Sequence, residues 1–140
     1  MKAMVFLDTN ILLDLFLERP GFEDAARILQ AGEEGRIELY CSFLTMANLA
    51  FILRKTVPSA RLVPSLWQIR SLMKVLPMDD GQLSEACQID GRDFEDILQA
   101  VCAQKGGCTH IVTRNTADFN YSPLTVCTPE EFLSQINGSA

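Results

Sequence analysis

The chain has one histidine, His110, and one tryptophan, Trp67, in 140 residues. A single histidine cannot build a histidine metal cluster, and His110 lies inside the apolar run Thr109–Val112, where a structural role is expected. Serine–histidine or cysteine–histidine catalysis would have to pass through that one ring, and the sequence sets no nucleophile beside it. No apolar run approaches the ~20 residues that a membrane span needs, so no membrane association is expected. The opening stretch carries one lysine and is broken by Asp8 and Asn10, so it does not read as a signal peptide. The five cysteines (Cys41, Cys87, Cys102, Cys108, Cys127) are an odd count with no C-x-x-C pair. They are expected as reduced residues of an apolar core in a cytoplasmic protein, not as zinc ligands or disulfides. Basic charge is also short. Twelve Lys and Arg against 18 Asp and Glu leave a net charge of −6, which argues against bulk nucleic-acid binding through a basic face. It leaves room for acids gathered around a divalent cation, because the ion reverses the local field.

What remains is a globular composition, 48% hydrophobic and 21% charged. At this length it predicts one domain over residues 1–136, with 137–140 as a loose tail.

The first stretch organises the rest. Met4-Val5-Phe6-Leu7 runs straight into Asp8, Thr9 and Asn10, followed by Ile11, Leu12, Leu15 and Phe16 at helical spacing. A continuous apolar run reads as a strand buried on both faces, and parallel sheets place ligands at the carboxyl ends of such strands. Asp8 is therefore either a site residue or the N-cap of the next helix. Helices are predicted over 22–34, 43–55, 60–73 and 94–104, from Asp79-Asp80-Gly81 to about 89, and from Pro129 onward. Ser42 and Thr128 read as N-caps, and Pro64 as a first-turn residue of its helix. Strands are predicted at 37–41, 109–113 and 124–126, with a brief strand or extended segment at 74–77. The alternation predicts a three-layer α/β/α domain with a mainly parallel central sheet.

Three polar clusters fall at strand ends or helix starts: Asp8 with Thr9 and Asn10; Asp93 and Asp96, with Asp90 and Glu95 near; and Thr113-Arg114-Asn115 with Asp118. Positions 93 and 96 share one helix face. Hard divalent cations take oxygen ligands, and carboxylates brought together without a cation repel. Against this, Asp93 and Asp96 are also ordinary helix-start acids and Asp118 an ordinary turn residue.

Four blocks then resemble the motifs of PIN domains. They are Val5-Phe6-Leu7-Asp8-Thr9-Asn10-Ile11-Leu12, Cys41-Ser42-Phe43-Leu44-Thr45-Met46-Ala47-Asn48, Asp96-Ile97-Leu98-Gln99-Ala100-Val101-Cys102-Ala103 and Ile111-Val112-Thr113-Arg114-Asn115. Their order and the chain length are similar to single-domain bacterial VapC-type toxins. The resemblance implies a metal-dependent ribonuclease of α/β/α fold whose acids hold Mg²⁺ or Mn²⁺. It also implies a small antitoxin partner and a homodimer. By position, Asp8 and Asp96 match family acids, and Asn10 and Thr45 match supporting polar residues. Asn48 stands where the family usually has Glu, and Asn115 where it usually has the last Asp. An amide oxygen coordinates without charge, so Asp93 or Asp118 is the expected substitute.

The expected constellation is thus Asp8, Asp93, Asp96 and Asp118 as catalytic acids, with Asp8, Asp96 and Asp118 on the metal. Asn10, Thr45, Asn48, Thr113 and Asn115 support them. Arg114 is expected to meet an RNA phosphate, or else to be a surface arginine. Arg54, Lys55, Arg61, Arg70 and Lys74 read either as an RNA path or, for most of them, as a plain solvated helical face, and Trp67 as a core or dimer-interface residue. Two rivals remain: a PIN fold with weakened catalysis that binds RNA or protein, and an Asp8-phosphorylating phosphatase. The phosphatase fits less well, because Asn10 stands where its motif needs a second Asp.

Overall fold

The computed structural model describes residues 2–138. Five parallel strands form one sheet: β1 (Ala3–Leu7), β2 (Ile37–Ser42), β3 (Lys74–Leu76), β4 (His110–Val112) and β5 (Thr125–Cys127), in the order β3-β2-β1-β4-β5. Seven α-helices connect and cover it: α1 (Thr9–Phe16), α2 (Phe22–Glu33), α3 (Phe43–Leu53), α4 (Ser59–Leu72), α5 (Asp80–Cys87), α6 (Phe94–Lys105) and α7 (Pro129–Gly138). A 3₁₀ turn spans Thr116–Phe119.

The apolar run of β1 has the cause expected of it. Val5 and Leu7 point into the larger core, built by α1, α2, α3, α4 and α7, while Phe6 points the other way with Tyr40, Ile111 and the α6 residues Ala100 and Ala103. Both faces are covered, so the alternation of a half-exposed strand is missing. Complete burial of a large apolar side chain such as Leu53 or Phe132 stabilises by roughly 1.5–3 kcal/mol.

Local signals place the helices. Ser42 and Thr45 form a reciprocal capping box at the start of α3, each side chain engaging the other's backbone N–H. Thr128 and Glu131 do the same at α7, at 3.1 and 2.9 Å, with Pro129 at the first position. Gly21, at φ +101°, makes the turn into α2, and Gly107, at φ +85°, makes the turn after α6.

Four expectations need correction. The helix α4 starts at Ser59, so Pro64 lies inside it, beyond the first turn. Cys87 is exposed, whereas the other four cysteines are buried and all five are free. Trp67 is not in the core: it is 63% exposed, with the Arg70 guanidinium over its ring. The tail expected from 137 falls partly in α7, which runs to Gly138, and partly on residues 139–140, outside the described residues. No helix among the described residues is long and apolar enough to cross a membrane.

Candidate acidic site at the carboxyl end of the sheet

The chain runs from β1 outward through β2 to β3, then returns to the far side of β1 for β4 and β5. The order therefore reverses between β1 and β4, and in open α/β sheets the crevice outside such a reversal is where ligands sit. Asp8 leaves the end of β1 there, and its backbone N–H donates to the Val112 carbonyl at 3.0 Å. Thr113 leaves β4 beside it. Its hydroxyl, fully buried, donates to Oδ2 of Asp8 at 2.8 Å and accepts from the Asn115 N–H at 3.1 Å.

Asp8 occupies the N-cap position of α1, yet its side chain forms no cap hydrogen bond. The reading of Asp8 as only a cap therefore fails. Its side chain is committed to β4, 105 positions away in sequence. Burial raises its pKa, and Glu95 adds to the rise; the Thr113 hydroxyl, the Thr9 amide and Arg114 act against it.

Asp96 lies in the first turn of α6, half-buried. Its carboxyl is pushed up to about 7, first by burial and then by the charges of Asp8, Asp93, Asp118 and Glu95. The sheet edge thus brings these acids within electrostatic reach of Asp96. Among the described residues no ion pair reaches Asp8 or Asp96, the cations nearby being engaged elsewhere. Arg92 pairs with Asp118 at 3.3 Å, and Arg19 and Arg114 approach Asp14.

The remaining expected residues divide by what holds them. Asp93 caps α6, its Oδ1 accepting from the amides of Glu95 and Asp96 at 3.0 and 3.3 Å. Asp118 sits in the 3₁₀ turn on the Arg92 pair. Thr45 is fully buried, and its hydroxyl accepts from the Gln99 side chain at 3.0 Å, while the Ser42 hydroxyl donates to Gln99. Thr45 therefore joins α3 to α6 just behind the acids. Asn10 is half-buried at the second position of α1, and Asn115 is exposed at the mouth. Asn48, half-buried on α3, donates from Nδ2 to Oε1 of Glu95 on α6. The cations Arg54, Lys55, Arg61, Arg70 and Lys74 are all exposed, and Arg54 lies 3.8 Å over Phe51. His110 keeps a structural place, its Nδ1 2.6 Å from the Thr109 hydroxyl and its ring edge-on to Phe132.

Sequence reasoning missed Gln99 and Asp14. Each is 2% exposed, a polar residue on an otherwise apolar buried helix face, and that was the available signal. Asp14 anchors Arg19 through Nε at 3.1 Å, an ion pair whose angle falls short of a hydrogen bond, and Arg114 through Nη1 at 3.4 Å.

Comparison with known proteins bears on this arrangement. The profile of the PIN domain family matches residues 4–117. The chain belongs to the PIN domain family. Ribonuclease VapC1 of Aquifex aeolicus (strain VF5) is 29% identical to it over 143 residues, covering 95% of each chain. Among solved structures, FitAcB from Neisseria gonorrhoeae superposes with a TM-score of 0.68 at 22% identity, covering 91% of this chain and 99% of that one. A toxin–antitoxin complex from Klebsiella pneumoniae gives 0.66 at 24%, covering 91% and 98%. DNA-bound VapBC from Salmonella typhimurium gives 0.68 at 19%, covering 89% and 96%. These likenesses establish the three-layer PIN fold, and the match to the family profile runs from β1 to the 3₁₀ turn, across all four motif blocks.

Proposed function

We propose that this PIN domain is a Mg²⁺- or Mn²⁺-dependent endoribonuclease that hydrolyses phosphodiester bonds of RNA in the cytoplasm. We propose further that it is the toxin of a toxin–antitoxin pair. The observation that carries the reading is the Asp8–Asp96 pair: buried or half-buried carboxylates, within one another's field, with no ion pair to either among the described residues. Oxygen donors of this kind suit hard divalent ions. Among the described residues, no three His, Cys, Asp or Glu side chains gather tightly enough to hold an ion alone. Mg²⁺ commonly binds through one or two carboxylates and keeps several waters, so two acids fit it.

In this reading Asp8 and Asp96 would hold the ion, with Asp118 at the rim reaching it through water and the amides of Asn10, Asn48 and Asn115 as neutral support. Held by those carboxylates, a divalent ion would supply Lewis-acid chemistry, activating a water and offsetting charge on the phosphoryl oxygens. Thr113 fixes the rotamer of Asp8, and Thr45 with Gln99 fixes α6 against α3, so that Asp96 keeps its place. Arg114, half tethered to Asp14 and half in solvent, meets a phosphate oxygen. Asp93 holds the α6 N-terminus as its cap. The printed activity of the Aquifex relative supports the ribonuclease reading, and the Klebsiella complex supports a small antitoxin partner. The exposed Phe51, Val63 and Trp67 on α3 and α4 support a homodimer face.

The asparagines at 48 and 115 favour one alternative, a catalytically weakened domain that binds RNA or protein. Cleavage of an end-labelled single-stranded RNA with Mn²⁺ decides between them. We expect cleavage that stops on chelation and falls at least about a hundredfold in Asp8→Asn and in Asp96→Asn, the loss of several kcal/mol of ion-derived stabilisation. Equal cleavage by the variants would sink the nuclease reading. RNA bound and left intact would move it to the binding module.

A further inference from the structure

We infer that the hairpin of α3 and α4 is the surface that holds single-stranded RNA, its cations on the phosphates and its exposed rings on the bases, and leads the strand to the acidic crevice. The inference rests on the ribonuclease reading above and adds to it where the substrate is held. The net charge of −6 hides a segregation. Residues 39–78 contain five cations, Arg54, Lys55, Arg61, Arg70 and Lys74, and no Asp or Glu. The rest of the chain has seven cations against 18 acids. Pairing follows the same division. Six of those seven, Arg19, Arg27, Arg36, Arg92, Lys105 and Arg114, stand 3.1–3.8 Å from a carboxylate oxygen. Among the described residues none of the five has an acid partner, and all five are exposed.

A plain solvated face accounts for charge, but not for the exclusion of acids or for the apolar surface between the cations. Phe51, Val63 and Trp67 are exposed there, with the Arg54 guanidinium 3.8 Å from the Phe51 ring centre and that of Arg70 4.9 Å from Trp67. Unpaired cations among exposed rings suit a ligand that carries both anions and aromatic faces, and a single nucleic-acid strand is such a ligand. An acidic partner helix would match the charge and leave the rings unmatched. Pairing two copies across the apolar residues would double the unmatched charge, so a homodimer needs the polyanion more. The hairpin also stands at the crevice. Thr45 bonds to Gln99 and Asn48 to Glu95, so α3 runs antiparallel to α6. The last turn of α3, with Phe51, therefore extends past the start of α6, whose first turn carries Asp96, and Arg54 and Lys55 follow directly. The acids of the crevice repel a polyanion, so the strand needs a basic hold beside them.

The test is the anisotropy of an end-labelled single-stranded RNA of random sequence, titrated with the full chain in chelator so that metal-dependent cleavage does not interfere. Arg54→Ala/Lys55→Ala is compared with Arg27→Ala/Arg36→Ala, which removes the same charge from cations that already have acid partners. We expect the first pair to weaken binding about tenfold and to flatten the slope of log Kd against log salt by ~1.4, the share of two phosphates, and the second pair to weaken it less than about twofold. Trp67→Leu should weaken binding about fivefold, the low end for one stacked base. Trp67 is the one tryptophan, so RNA should also quench the emission of the wild type. Equal weakening by the two pairs, or wild-type binding in Arg54→Ala/Lys55→Ala, would overturn the inference. So would a wild-type chain that leaves the RNA unbound. Polyglutamate that binds as tightly and quenches as much would overturn it in favour of an acidic protein. Emission that follows protein concentration and ignores RNA would give the face to a second copy. Cleavage with Mn²⁺ is scored separately. Asp8-dependent cleavage with wild-type binding in the hairpin variants would leave the nuclease reading standing alone, and RNA held by the hairpin but never cut would leave the hairpin without the nuclease.

Discussion

Two buried aspartates stand six residues apart, at either end of one short segment, and their surroundings are opposite. Asp14, at the end of α1, is 2% exposed and faces two guanidinium groups, those of Arg19 and Arg114. Asp8, before the start of α1, is 9% exposed and faces a hydroxyl, an amide and the charge of Glu95, with Arg114 acting on it only from a distance and forming no ion pair. A buried charge that is paired belongs to the fold, because removing it strands its partners. A buried charge that is unpaired is a cost to the fold, and needs another cause. The contrast supports the proposed division, Asp14 to the fold and Asp8 to the site, on grounds independent of motif.

Substitution at the two positions is the sharpest way to break that contrast. Asp14→Ala leaves two guanidinium groups facing a buried space, and should destabilise by about 3 kcal/mol, reduced from the fully buried case because both arginines are partly solvated. Asp8→Asn keeps the shape and removes a penalised charge, so metal-free stability should change by less than about 1 kcal/mol. Urea unfolding of both variants in chelator measures the difference. Equal losses would end the distinction between them.

Thr113→Val tests the same contrast from the other side. It is near in shape and deletes the hydroxyl that donates to Asp8 and accepts from Asn115. A hydrogen bond to a charged group contributes roughly 1.5–3 kcal/mol, so a loss near 2 kcal/mol is expected above neutral pH. Because that bond helps keep Asp8 ionised, the variant should also need a higher pH for half-maximal Mn²⁺ binding. Loss of stability with an unmoved pH profile would leave Thr113 a strand-end residue only.

Much of this was legible in the sequence, and the part that was not has a physical pattern. Continuous apolar runs announced β1 and β4, because strands covered on both faces have no polar side to hide. Caps announced α3 and α7, because Ser42 and Thr128 satisfy their helices within three residues. Local rules failed where partners are distant. Whether Asp8 capped its helix depended on a hydroxyl 105 positions away. The role of Asn48 depended on a glutamate from another helix. Trp67 read as core or dimer interface, and the core half of that reading fails because α4 buries little of itself and leaves the ring outside. Pro64 was misplaced by counting alone, since even from the expected start at Ala60 it is the fifth residue of the helix, past the first turn.

The smallest expected effect is the most specific. Asp96 has an ordinary carboxyl value of 3.8 when unfolded and about 7 when folded. The folded chain therefore binds its proton more tightly, and this contributes stability that is complete below about pH 4 and lost as pH rises through 7. In Asp96→Asn that dependence is gone. The variant should match the wild type near pH 4 and exceed it at pH 8, in chelator, by about 1 kcal/mol, well below the unscreened value because the group is half-exposed. Mn²⁺ should reverse the order at pH 8, since a cation that binds the folded wild type stabilises it by mass action and has less to bind in the variant. Asp14→Asn, by contrast, should lose stability at pH 8 with or without Mn²⁺, because its partners are arginines already in place. Melting curves of the three proteins at pH 4, 6 and 8, with and without Mn²⁺, carry the test. If Asp96→Asn and Asp14→Asn respond alike, the division of these buried acids into a paired one for the fold and unpaired ones for an ion is wrong.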